Sequence, residues 1–98
     1  MDVNRALRNA VSTGGVYLGT SQAMKALENG EAKIIVLASN CPSKNELETA
    51  AGDKGVKVYK FDGRSTELGP ACGKPFSVSV ISVLEPGESE VLQLKNEA

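Results

Sequence analysis

A chain of 98 residues, 41% hydrophobic and 23% charged with a formal net charge of −1, has an ordinary globular composition and enough length for one core, so a single domain over 1–98 is expected. The near-neutral balance excludes a protein that coats nucleic acid by bulk charge, and no apolar run approaches the ~20 residues of a membrane helix. Histidine is absent, and Cys41 and Cys72 lie in no C-x-x-C pair; a zinc site or disulfide framework finds no support, and neutral-pH catalysis lacks its commonest base.

The opening "MDVNRALRNA" is amphipathic, without the apolar core of a signal segment, so a soluble, cytoplasmic protein with no membrane partner is expected. Val3, Ala6, Leu7, Ala10 and Val11 fall on one stripe of a helix, with Asp2 placed to cap it and Gly14 to stop it. "VYL" (16–18) predicts a short strand. Thr20 then stands as the cap of a helix over 21–29, ended by Gly30, that buries Ala23, Met24 and Leu27.

"KIIVLA" (33–38) is a continuous β-branched run, the pattern of a strand covered on both faces. After Pro42, Ser43-x-x-Glu46 has the form of a capping box opening a helix over 44–54, with Gly52 inside it and Gly55 as its stop. "VKVYKF" (56–61) alternates as a strand, "DG" (62–63) turns the chain, and "STELGPACGK" (65–74) reads as a short capped helix interrupted by Pro70. "FSVSVISVLE" (76–85) is the longest strand candidate, and after "PG" (86–87) "ESEVLQL" is a short strand or helical turn. Helices alternating with strands predict an α/β layered sandwich with parallel or mixed pairing.

Charge is unevenly placed along this order. Residues 1–60 carry eight Lys/Arg against six Asp/Glu, whereas 61–98 carry three against six. A polyanion is therefore expected on the first half or the middle, away from the tail.

The strand–glycine–helix junction "LGTSQAMK" can aim backbone N–H groups at a phosphate, but it matches neither G-x-x-x-x-G-K-[ST] nor G-x-G-x-x-G. Alone it is a helix start. Two further junctions, "SNCP" (39–42) and "GKPFSV" (73–78), add hydroxyls, Asn40, one exposed aromatic, Phe76, and the cations Lys44 and Lys74 beside Lys25. Gathered at one end of a layered fold, that set suits RNA with unstacked bases: amides and lysines for phosphate, an amide side chain for a base edge, an apolar side chain under a base. By composition Asn40 is as readily a polar turn residue.

The segments "RALRNAVSTGGVYLG", "KIIVLASNCP", "VKVYKFDG", and above all "ELGPACGKPF" and "LEPGES", make the chain resemble the archaeal and eukaryotic L-thirty-e family of large-subunit ribosomal proteins, in the superfamily that includes L-seven-Ae. The resemblance implies a three-layer α/β/α sandwich with a four-stranded mixed sheet. It also implies a structural, non-catalytic part in the large ribosomal subunit, bound to a kink-turn-like internal loop of ribosomal RNA, with neighbouring ribosomal proteins as further partners. No metal or cofactor is implied, and the free protein is expected to be a monomer.

Carried over by motif position, Gly19, Thr20, Ser21, Gln22 and Lys25 form the first RNA segment, Asn40 the second, contacting a base, and Lys74, Phe76, Ser77 and Val78 the third. Ser21 and Ser77 stand where the family often has Lys or Arg, which predicts a shallow salt dependence. The alternative within the same superfamily is a protein-interaction module with little RNA affinity of its own.

Overall fold

The structure, a computed structural model, describes residues 3–87, 89 and 91–93. In chain order the elements are α1 (Val3–Thr13), β1 (Gly15–Leu18), α2 (Thr20–Glu28), β2 (Ile34–Leu37), α3 (Lys44–Asp53), β3 (Lys57–Lys60), α4 (Ser65–Ala71), β4 (Val80–Glu85) and a 3-10 turn, Val91–Gln93. The four strands form one sheet in the order β1-β4-β2-β3. β4 runs antiparallel to both β1 and β2, and β2 runs parallel to β3, so the sheet is mixed as expected.

Side chains alternate across a strand, and here both faces are covered. Ile34, Val36, Ala38, Ile81 and Val83 pack with Leu7 and Ala10 of α1, Leu68 and Cys72 of α4, and Val91 of the last turn. Ile35, Leu37 and Val80 pack on the other side with Ala23, Ala26 and Leu27 of α2 and Leu47 and Ala51 of α3. This is the three-layer α/β/α sandwich, and full burial of each large aliphatic side chain contributes about 1.5–3 kcal/mol. Ser82 is the polar residue inside β4; its Oγ is buried with no partner among the described residues.

Several boundaries differ from the sequence reading. Gly19, not Thr20, occupies the N-cap of α2, with φ at 111°, and Thr20 is already helical. Met24 is half-buried because Ala23, Ala26 and Leu27 already supply the packed stripe. Ser43 sits at the cap of α3 but makes no side-chain cap bond, so the capping box is not formed. The strand expected from residue 76 begins only at Val80, since the preceding segment is drawn aside by α4. Asp2, Glu88, Glu90 and Leu94 lie outside the described residues; of "ESEVLQL", Val91–Gln93 forms the 3-10 turn.

Glycines separate into distinct physical roles. Gly14 does not end α1 by a left-handed turn; a Cβ there would collide with the carbonyl oxygen of Glu85, so the residue lets α1 close onto the end of β4. Gly69, buried in α4, has no room either, because the carbonyl oxygen of Phe76 occupies the place of a Cβ. Gly52 faces open space inside α3, with nothing within 4 Å of a Cβ.

Gly52→Ala is therefore expected to raise stability by about 0.5–1 kcal/mol in urea unfolding, through helix propensity alone. Gly69→Ala is expected to lower it by about 1–3 kcal/mol in the same measurement, because the 76–79 segment must move.

Candidate nucleic-acid interface

Strand direction decides which loops meet. β1, β2 and β3 all end where β4 begins, so the segments after Leu18, Leu37 and Lys60 and the segment before Val80 gather at one end of the sheet. All three segments expected to contact RNA lie there, joined by a fourth, 61–65.

Backbone bonds lock this end. The Gly19 N–H donates to the Val80 carbonyl at 3.0 Å and the Ala38 N–H to the Ser79 carbonyl at 2.9 Å. Likewise the Ser39 N–H donates to the Gly63 carbonyl at 2.8 Å and the Val78 N–H to the Ser65 carbonyl at 3.0 Å. Each bond crosses between segments far apart in sequence, so the loops are held by the scaffold rather than by their own side chains. The left-handed Gly73, φ 88°, ends α4, where the Lys74 N–H donates to the Gly69 carbonyl at 2.9 Å and turns the chain toward Phe76.

Between the first and third segments lies a cleft of about 220 Å³ lined by Leu18, Gly19, Thr20, Phe76, Ser77, Val78 and Ser79. Phe76 is 53% exposed on its edge. A Cβ on Gly19 would meet nothing within 4 Å, so that backbone is open to close approach. Ser21, Gln22, Lys25 and Ser77 are exposed, and Thr20 and Lys74 are half-buried. Val78 is 3% exposed and belongs to the core beside α1 and α4, so its side chain cannot lie under a base.

Asn40 is exposed yet engaged. Its Oδ1 accepts the Ser65 N–H at 2.7 Å, and its Nδ2 donates to Ser65 Oγ at 3.3 Å. Ser65 is the first residue of α4, and the residue before it, Arg64, makes no side-chain cap bond, so Asn40 caps that helix from 25 residues away. Asn40 thus has a partner within the fold, and one Nδ2 proton remains free for another acceptor. Sequence reading missed Arg64 and Ser65 because only the parallel pairing of β2 with β3 brings the two loops together.

A family model described as the Ribosomal protein L7Ae/L30e/S12e/Gadd45 family matches residues 1–93. The chain belongs to this family. Its similarity to "Large ribosomal subunit protein eL30" of Methanococcus vannielii is 46% identity, covering 99% of this chain and 94% of that one. The protein of the same name from Methanoregula boonei is 42% identical, with both chains covered in full. A solved structure described as a protein with unknown function from Bacillus halodurans C superposes with a TM-score of 0.78 at 27% identity, over 93% of this chain and 92% of that one. In this member of the L7Ae/L30e/S12e/Gadd45 family, burial pushes the Cys72 thiol above its usual value, which keeps it protonated at neutral pH. No helix among the described residues is long and apolar enough to cross a membrane, and none of them cluster to hold a metal ion.

Removing the remote cap with Asn40→Ala is expected to cost about 1–2 kcal/mol in thermal or urea unfolding, with Asn40→Asp retaining most of that stability because a carboxylate still accepts the Ser65 N–H. Equal losses in both variants would show that the cap bond is not what Asn40 contributes.

Proposed function

We propose that this chain is a structural constituent of the large ribosomal subunit that binds a sharply bent, kink-turn-like internal loop of ribosomal RNA, alongside neighbouring ribosomal proteins and without a catalytic step. Family membership and the names of its relatives support the ribosomal part. The observation that carries the RNA part is the convergence of Gly19–Lys25, Asn40 and Phe76–Ser77 at one end of the sheet, with Phe76 half-exposed beside the cleft.

An intact A-form duplex hides its base edges in a deep, narrow groove, whereas a bent internal loop presents unstacked bases. In this reading Phe76 stacks on one such base, an interaction of about 1–3 kcal/mol. The free Nδ2 proton of Asn40 donates to a base-edge or phosphate acceptor. The open Gly19 backbone admits the sugar-phosphate chain to the first turn of α2, whose unpaired N–H groups form the positive end of the helix. Lys25, Lys44, Arg64 and Lys74 neutralise phosphates; Arg64 and Lys44 stand in for the cations absent at Ser21 and Ser77. Free of RNA the chain is monomeric in this reading, and it acts in the cytoplasm.

The test is a titration with a kink-turn RNA and a straight duplex of equal length at two salt concentrations. Preference for the kink-turn by at least about tenfold is expected, with Phe76→Ala losing about 1–3 kcal/mol and Lys25→Ala lowering the salt slope by about 0.7–0.9. Lys33→Ala, at the opposite end of β2, should change neither. Equal affinity for the two RNAs, or equal effects of Phe76→Ala and Lys33→Ala, would sink the proposal.

A further inference from the structure

A second concavity lies away from the Gly19–Phe76 cleft, between the start of α1, the end of β3 and α4. It measures about 450 Å³, within the roughly 300–1,000 Å³ range of ligand pockets, and includes Tyr59, Phe61, Asp62, Glu67, Pro70 and Arg8 in its lining. Tyr59, Phe61 and Pro70 supply aromatic and apolar lining, and Asp62 and Glu67 supply two carboxylates.

We infer that this cleft docks an arginine side chain carried on a basic segment of a partner protein. Asp62 and Glu67 are exposed and form no ion pair among the described residues. The point where a Cβ on Gly63 would stand is 2.7 Å from Glu67 Oε2 and 2.7 Å from Phe61 Cε2, so the carboxylate and the ring edge are neighbours. Tyr59 is 9% exposed and lines the same cleft, and its hydroxyl has no hydrogen-bond partner among the described residues. Burial first and the Asp62 carboxylate second push that phenol above its usual value, which keeps it a neutral donor and acceptor beside the acid.

A guanidinium matches each element of this arrangement. Its plane stacks on an aromatic side chain, its paired N–H groups suit a carboxylate bidentately, and it sheds water more readily than an ammonium. A further N–H can donate to the Tyr59 hydroxyl. Arg8 also lines the cleft, its stem 3.2 Å at Cγ from where a Cβ on Gly73 would stand, but it forms no ion pair with Asp62 or Glu67 among the described residues. Two unpaired carboxylates repel phosphate, which argues against RNA in this cleft. None of the side chains assigned to RNA takes part, the 61–65 segment supplying Asp62 to this cleft and Arg64 to the RNA end.

The experiment is an amide NMR titration of the full chain with a terminally blocked Gly-Arg-Gly-Arg-Gly peptide and its lysine and glutamate counterparts. The arginine peptide is expected to shift the amides of Phe61, Asp62, Gly63 and Glu67, to bind several-fold more tightly than the lysine peptide, and to leave the glutamate peptide inert. Glu67→Gln and Asp62→Asn should each weaken it about tenfold, the scale of a lost charged pair, and Tyr59→Phe should weaken it less. Glu28→Gln, an exposed acid on α2, should not. Equal binding of arginine and lysine peptides to the unaltered protein would overturn the inference, as would shifts centred elsewhere or unchanged affinity in Glu67→Gln.

Discussion

Two strands with no face left to water set the terms for the rest of this molecule. Ile34–Leu37 is buried at every position, and Val80, Ile81, Ser82 and Val83 opposite it are buried as well. An antiparallel pair of that kind cannot stand at a sheet edge, so β1 and β3 flank it, and it needs helices above and below. The four helices separate two and two for this reason. Chain direction in the central pair also fixes which loops meet, since the end of β2 and the start of β4 are adjacent by construction.

The candidate RNA end inherits its rigidity from that pair. Main-chain bonds from Gly19 and Ala38 reach the carbonyls of Val80, the first residue of β4, and of Ser79 just before it. One side-chain clasp, Asn40 on Ser65, is added, and one main-chain contact without spare volume, the Phe76 carbonyl against Gly69. Binding surfaces positioned this way lose little conformational freedom when a ligand arrives, which spares part of the entropy that flexible loops would have to give up.

Much of the architecture was legible in the residues because it rests on local pattern. The run at 33–38, the stripe in α1, and the stops at Gly30 and Gly55, both with positive φ, are signals contained within a few residues. The misplaced features depend on tertiary partners. Residues 76–79 have strand-like composition but are pulled onto α4 by the missing Cβ of Gly69, seven residues upstream of Phe76. Thr20 and Ser43 look like caps, yet the backbone at Gly19 takes that role in one case and no side-chain bond forms in the other. At the candidate site the exposure of Phe76 was readable as an aromatic in a polar, proline-containing loop. The burial of Val78 and the engagement of Asn40 were not, because both follow from tertiary contacts, Val78 within the core beside α1 and α4 and Asn40 with Ser65.

The strand order has a consequence for how the chain is made. β4 is the last of the four strands to be made but inserts between β1 and β2, so a growing chain holds two strand edges apart until residues 80–85 emerge. Closing β1 onto β4 joins residues 15–18 to 81–85, a long loop whose closure entropy must be met before the core is complete. Until then only the parallel β2–β3 pair and its helix can assemble in native order. Completion of the sheet is thereby deferred until Val80–Glu85 has been made, and nascent chains truncated before Val80 would present unpaired, apolar sheet edges of the kind chaperones intercept.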